Sequence, residues 1–176
     1  MKNEKKMPVY WTVLNQDDWS LHVAATERGL CFVGSQGMPL DELAAWTARR
    51  MPGSLLVRDD ERLKPYVAAL LAYLRGERDT QALLLDVCGT PFQRAVWEAL
   101  CTIPFGQTRT YSQIAEKIGK PAAVRAVGAA IGANPVLIAV PCHRVLGKGG
   151  ALTGYRGGLA MKERLLRLEQ GEAGTE

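Results

Sequence analysis

At 176 residues, 47% apolar and 23% charged, the chain has the composition of an ordinary globular protein and room for one average domain or two small ones sharing a core, which excludes a multidomain enzyme. Its net charge of +4 is unevenly spread, residues 86–168 carrying 11 Lys/Arg against 4 Asp/Glu, and that admits either a polyanionic partner or a plain solvated basic face. The longest uncharged stretch, Ala126 to Cys142, is broken by Gly128, Gly132, Asn134 and Pro135, which excludes a membrane span; the charged start MKNEKKMPVYW is not a signal peptide, so a cytoplasmic protein is expected.

Three strand-like runs come first: Val9–Leu14, Trp19–Ala25 and Leu30–Val33, separated by the turn formers Asn15-Gln16-Asp17-Asp18 and Glu27-Arg28-Gly29. Turns this short predict an antiparallel meander. Helical patterns follow at Asp41–Arg50 and about Glu61–Arg75, the second with Tyr66, Leu70, Leu71 and Leu74 on one face. Leu83–Val87 reads as a last strand or an extended connector. The expectation for residues 1–86 is an antiparallel sheet with helices on one side.

Residues 87–176 read as a second, mainly helical domain. Thr90-Pro91-Phe92-Gln93 supplies a capping threonine, a proline at the first helical position and a glutamine placed for a capping box, so a helix is expected from Pro91. After the turn Ile103-Pro104-Phe105-Gly106 come two short helical patterns, Ser112–Ile118 and Ala122–Ile131, about Gly119-Lys120-Pro121. Such a pair is a helix-turn-helix candidate and equally a common packing unit. The second pattern carries one long polar side chain, Arg125, among Ala, Val, Gly and Ile. It lacks the side chains needed to read bases in a major groove. Its small residues suit either a buried core helix or a close approach to a duplex, with Arg125 entering a groove or the base stack.

The four cysteines, Cys31, Cys88, Cys101 and Cys142, share no CxxC spacing, and only His22 and His143 could join them, so neither a disulfide framework nor a zinc site is expected. Cys142 stands where the β-prone run Ile138-Ala139-Val140 breaks at Pro141-Cys142-His143-Arg144. A cysteine in an apolar stretch is most often inert, but polar neighbours crowd this one. A thiol is barely ionised at neutral pH and needs a base to act as a nucleophile, and an imidazole beside it is the usual source. The glycine-rich stretch Gly147–Gly158 does not fit a nucleotide-phosphate loop, yet it carries Tyr155 and Arg156 toward a final helix, Leu159–Glu169, and could wall a pocket.

Pro141-Cys142-His143-Arg144-Val145, with Asn134-Pro135 ahead and Leu152-Thr153-Gly154-Tyr155-Arg156-Gly157-Gly158-Leu159 behind, resembles the O6-alkylguanine-DNA alkyltransferase family. Thr90-Pro91-Phe92-Gln93 and Ile103-Pro104-Phe105-Gly106 are similar as well, so the resemblance covers about residues 88–170. It implies an α/β (α+β) protein whose second domain is a winged-helix-like, helix-turn-helix catalytic domain. The implied function is direct repair: irreversible, single-turnover transfer of the alkyl group from O6-alkylguanine in duplex DNA to an internal cysteine, with no cofactor.

By the same resemblance Cys142 is the nucleophile, His143 the base acting through a water, Glu169 the carboxylate orienting it, and Asn134 a brace. Tyr111 is implied to help rotate the nucleotide out and to protonate the departing guanine. Arg125, Ala123, Ala126 and Gly128 are the implied DNA contacts, made in the minor groove by a monomer, with Arg125 filling the place of the flipped base. Val145, Tyr155, Arg156, Ile131 and Lys162 are implied around the substrate pocket. Some relatives hold a zinc in the first domain; this chain lacks the histidines, so no metal is expected. Relatives that sense the same lesion without reacting replace the cysteine, and that damage-sensor reading is the alternative. A cysteine hydrolase acting on small molecules is a third. Where some relatives have a small residue at position 156, this chain has Arg156, which bears on the width of the pocket entrance.

Overall fold

The computed structural model describes residues 6–77, 80 and 82–171. Four strands, β1 (Pro8–Gln16), β2 (Trp19–Thr26), β3 (Gly29–Val33) and β4 (Leu55–Arg58), form one sheet in the order β3-β2-β1-β4. The first three make the expected antiparallel meander, with Asp17 in left-handed backbone (φ 53°) closing the tight turn between β1 and β2. β4 departs from the expected all-antiparallel sheet. It runs parallel to β1, from Pro8 opposite Leu55 to Trp11 opposite Arg58. Helix α1 (Asp41–Arg50) carries the chain from β3 over the sheet to its far edge, as a return in the same direction requires. Four residues on an edge, with Leu55 exposed, leave too short an alternation to be read from sequence.

The helices of this half also lie on both faces of the sheet, not on one. Val9, Ala24 and Phe32 pack with Leu43 and Trp46 of α1. Leu14, Leu21, Val23 and Ala25 face the other way, toward Leu63, Leu70 and Tyr73 of α2 (Asp60–Leu74). Successive residues of a strand point to opposite faces, and the near-continuous burial of β2 and β3 is the mark of a sheet covered twice. Leu83–Val87 is a connector held to β3 by Leu30 N–H to Leu84 O at 2.9 Å and Asp86 N–H to Leu30 O at 2.8 Å.

The second half contains α3 (Pro91–Cys101), β5 (Arg109–Thr110), α4 (Tyr111–Lys117), α5 (Val124–Gly132), β6 (Val145–Leu146) and α6 (Leu159–Glu169). The capping box of Thr90 and Gln93 forms as expected, with Pro91 behind it. α4 begins at Tyr111 and not at Ser112, because Thr110 and Gln113 make a second capping box. α5 begins at Val124 and not at Ala122: Ala123 N–H turns back to Lys120 O at 2.9 Å, which keeps Ala122 and Ala123 in the turn. α3, α4 and α5 pack against one another, and Trp97 Nε1 donates to Ala130 O at 2.8 Å.

Ile138-Ala139-Val140 is not a strand. It is a tight turn in which Val140 N–H reaches Val136 O at 3.0 Å and Ile138 adopts φ 70°. Proline at 135 and at 141 removes two ladder donors, and the Asn134 side chain closes the loop from inside. A β-branched residue in left-handed backbone costs about 1–3 kcal/mol, a strain the fully buried surroundings of Ile138 impose. One apolar cluster joins the halves, running from Leu14, Leu21 and Val23 through Tyr73 to Val96, Ile131, Val140 and Met161. Among the described residues no helix is long and apolar enough to cross a membrane.

Gly29 lets the connector approach: a Cβ there would stand 2.7 Å from Leu84 O, and its φ is 155°. Gly29→Ala is expected to destabilise the fold by about 1–3 kcal/mol, read as a lower urea midpoint at unchanged slope.

Candidate active site

Cys142 opens a single turn of 3₁₀ helix, Cys142–Arg144, just beyond the strained turn. This bend turns Cys142, His143 and Arg144 all into the interior. Asn134 Nδ2 donates to Cys142 Sγ at 3.2 Å and to Val140 O at 2.9 Å, while Asn134 Oδ1 accepts from Val136 N–H at 2.9 Å. One amide therefore ties the sulfur to the turn that presents it. Burial pushes the Cys142 thiol up; the Asn134 hydrogen bond and the charges of Arg156 and Lys162 pull the other way without overcoming it. The resting sulfur is a thiol, and a base must take its proton.

His143 is fully buried, and burial lowers its pKa despite the neighbouring carboxylate, so it rests as neutral imidazole. Its Nε2 is bonded to Glu169 Oε2, and its Nδ1 is buried with no protein partner among the described residues. Glu169, at the end of α6, also receives Arg144 Nε at 2.6 Å and Gly106 N–H at 3.1 Å on Oε1 and Tyr73 Oη at 2.8 Å on Oε2. Burial opposes ionisation of this carboxyl, but the hydrogen bond from His143 and the charge that imidazole takes on in acid, with the Arg144 charge and the Gly106 N–H, hold it down at about 2. An ionised carboxylate can only accept, so His143 keeps its proton on Nε2 and leaves the lone pair on Nδ1.

A narrow cavity of about 120 Å³ reaches the sulfur. It is lined by Tyr111, Gly128, Ile131, Gly132, Cys142, Gly154, Tyr155 and Arg156. Val145 and Lys162 lie outside this lining. Val145 is buried in the two-residue ladder opposite Arg109, and Lys162 Nζ donates to Thr153 O at 2.8 Å, pinning the glycine-rich loop. Tyr111 Oη donates to the same carbonyl at 3.2 Å. The Arg156 guanidinium turns away from the entrance: it donates to Val33 O at 2.8 Å, Asn134 O at 3.1 Å and Pro135 O at 3.1 Å, and pairs with Glu42 at 3.3 Å. Arg125 and Ala126 stand exposed on α5, with Ala123 and Gly128 half-buried beside them. No hydrogen bond or ion pair holds Arg125 among the described residues. No cluster of three or more potential metal-ligating side chains occurs among those residues either.

Residues 9–87 match the family described as 6-O-methylguanine DNA methyltransferase, ribonuclease-like domain, and residues 91–171 match 6-O-methylguanine DNA methyltransferase, DNA binding domain. The inducible methylated-DNA–protein-cysteine methyltransferase of Bacillus subtilis (strain 168) is 58% identical over 165 residues, 94% of this chain and 92% of that protein. The chain belongs to the methylated-DNA–protein-cysteine methyltransferase family. A relative from Methanosarcina barkeri is 40% identical over 92% of this chain and 98% of its own length. The crystal structure of the Mycobacterium tuberculosis O6-methylguanine methyltransferase superposes with a TM-score of 0.78 at 38% identity, covering 96% of each chain. A crystal structure of the same enzyme in complex with DNA gives 0.77 over 94% of each.

Membership makes the chain a DNA-binding methyltransferase that repairs DNA by alkyl transfer to a cysteine. Three residues of the methyltransferase site escaped the sequence reading. Tyr73 comes from the other half of the chain, and no spacing relates it to position 169. Arg144 was read as a neighbour of the thiol and as part of the family motif, and no spacing relates it to position 169. Glu42 was read only as part of the helical pattern Asp41–Arg50; its carboxylate accepts from Ser35 and holds Arg156.

Both buried groups make acid destabilising. The Glu169 contribution is complete above the ordinary carboxylate range and is lost as pH falls toward about 2. His143, lowered by burial, adds to this because the unfolded chain takes up its proton first, near the ordinary histidine value. The Glu169 share is on the order of 3 kcal/mol. Urea unfolding from about pH 7 to about pH 3 is expected to show stability falling steadily, and Glu169→Gln is expected to flatten the slope below about pH 5 while lowering stability at neutral pH, since the buried Arg144 loses the charge of the carboxylate it donates to at 2.6 Å.

Proposed function

We propose that Cys142 is the acceptor of the alkyl group and that the residues around it form the transfer machinery. The observation that carries this reading is a buried thiol on the wall of one cavity, followed in the chain by a neutral histidine whose Nδ1 has no partner among the described residues and whose Nε2 is bonded to an ionised carboxylate. The thiol proton passes to His143 Nδ1 through a water, and the sulfur attacks the alkyl carbon in line with its bond to O6 of guanine. The C–O6 electron pair returns to the base, an S–C bond forms, and the guanine leaves neutral by taking a proton from the Tyr111 hydroxyl. Glu169 steadies the imidazolium, and Asn134 shares its hydrogen bond with the developing thiolate. The thioether has no hydrolytic route back, so each molecule acts once.

The lesion sits inside a duplex, and in this reading the nucleotide is extruded to bring its alkyl group to the buried sulfur. Arg125, exposed and unpaired on a helix of small residues, is suited to take its place in the stack, while Ala123, Ala126 and Gly128 let that helix lie close to the minor groove. Ile131 and Tyr155 pack on the flipped base. Backbone groups of Val145 and Arg156 read its edges, and Lys162 keeps the loop wall in place. In this reading residues 1–86 support and residues 87–176 bind and react, a division that the separate family matches favour. The protein works as a monomer in the cytoplasm, where a reducing environment keeps Cys142 a free thiol.

Single-turnover incubation with duplex DNA carrying isotope-labelled O6-methylguanine, followed by peptide mass analysis, is expected to put one methyl group on Cys142. Cys142→Ala should bind the lesion and transfer nothing; label on Cys88 or Cys101 instead would refute the assignment. Arg125→Ala is expected to slow reaction on duplex DNA by about two orders of magnitude, the size of an extrusion cost of a few kcal/mol, and to leave reaction with free O6-benzylguanine nearly unchanged. Because burial lowers His143, the acid limb of the wild-type rate profile should lie below the ordinary histidine value of about 6.5.

A further inference from the structure

Tyr73 belongs to α2, in the first half of the chain, yet its hydroxyl ends inside the proton relay of the second. Its side chain is fully buried, its ring meets Phe105 edge-on at 5.9 Å, and its Oη lies 2.8 Å from Glu169 Oε2 and 3.1 Å from His143 Nε2. Among the described residues, the charged and titratable groups that bear on His143 are Glu169 and Lys162 from α6, Arg144 from its own turn, and Tyr73 from α2.

The hydrogens can be assigned by counting. Glu169 Oε1 is taken by Arg144 and Gly106, so Oε2 must accept from both His143 Nε2–H and the Tyr73 hydroxyl. With four donors on it, the carboxylate cannot swing. A donor on Oε2 also withdraws charge from the atom that pulls on the imidazole proton. We propose that Tyr73 is a positioning residue for alkyl transfer: through Glu169 it sets the orientation, tautomer and basicity of His143, so that the first half of the chain completes the relay of the second. The proposal rests on the reading of Cys142 and His143 given above.

Tyr73→Phe keeps the ring and removes the donor. Transfer is measured in single turnover across about pH 5–9, with duplex lesion DNA and with free O6-benzylguanine. The expected result is a rate about 10- to 100-fold lower at neutral pH on both substrates, part of what a positioned base supplies. The acid limb should move to higher pH by about 0.5–1 unit, because His143 grows more basic when Oε2 loses its donor. Affinity for lesion DNA should not change. Site-specific replacement of Tyr73 by difluorotyrosine, a stronger donor of nearly the same shape, should move the limb the opposite way, and it serves equally if Tyr73→Phe does not fold. An unchanged profile, or a loss equal at every pH, overturns the proposal. Mass analysis of the wild-type product separates the two readings: no label on Cys142 defeats the assignment of the site, whereas a labelled Cys142 with an unresponsive profile defeats only the role of Tyr73.

Discussion

The structure turns on a single buried carboxylate. Glu169 gathers four donors from three places far apart in sequence: Tyr73 on α2, Gly106 in the turn after α3, and His143 and Arg144 beside the thiol. A buried carboxylate without such partners would take up a proton rather than stay charged. Here its ionised state is held, and that state dictates the rest. It accepts the Nε2 proton of His143, leaves Nδ1 as the basic nitrogen, and draws Arg144 inside with it. Arg144 Nη1 in turn donates to Ile103 O at 2.7 Å, so the turn ahead of the helix-turn-helix is tied to the same anchor.

The sulfur is presented by a different device. Asn134 spans the turn 134–140 from within, and the left-handed backbone at Ile138 is tolerated because packing and this amide together leave it no relaxed alternative. Arg156 then clasps the outside of that turn to β3 and to Glu42 of α1. The first half is thus more than a scaffold at a distance: β3, α1 and α2 each send a group toward the site.

Much was legible in one dimension. The capping box at Thr90, the meander, the final helix and the helix-turn-helix are local patterns, written in residues three or four apart or in strict alternation. The crowding of Asn134, Cys142 and His143 was visible for the same reason, as was the small-residue helix around Arg125. The misreadings share a cause as well. β4 is too short to alternate, Ile138–Val140 has strand propensity that Asn134 and two prolines override, and the two-sided burial of the sheet depends on where α1 and α2 dock.

Sequence by itself determined the segments, their caps and the chemical types able to carry the reaction, because these follow from short-range geometry and from the reactivity of single side chains. Only the tertiary structure decided how those groups work together. The protonation of His143, the ionisation of Glu169 and the inward turn of Arg156 are set by burial and by partners up to 123 residues apart, which no spacing in the chain encodes.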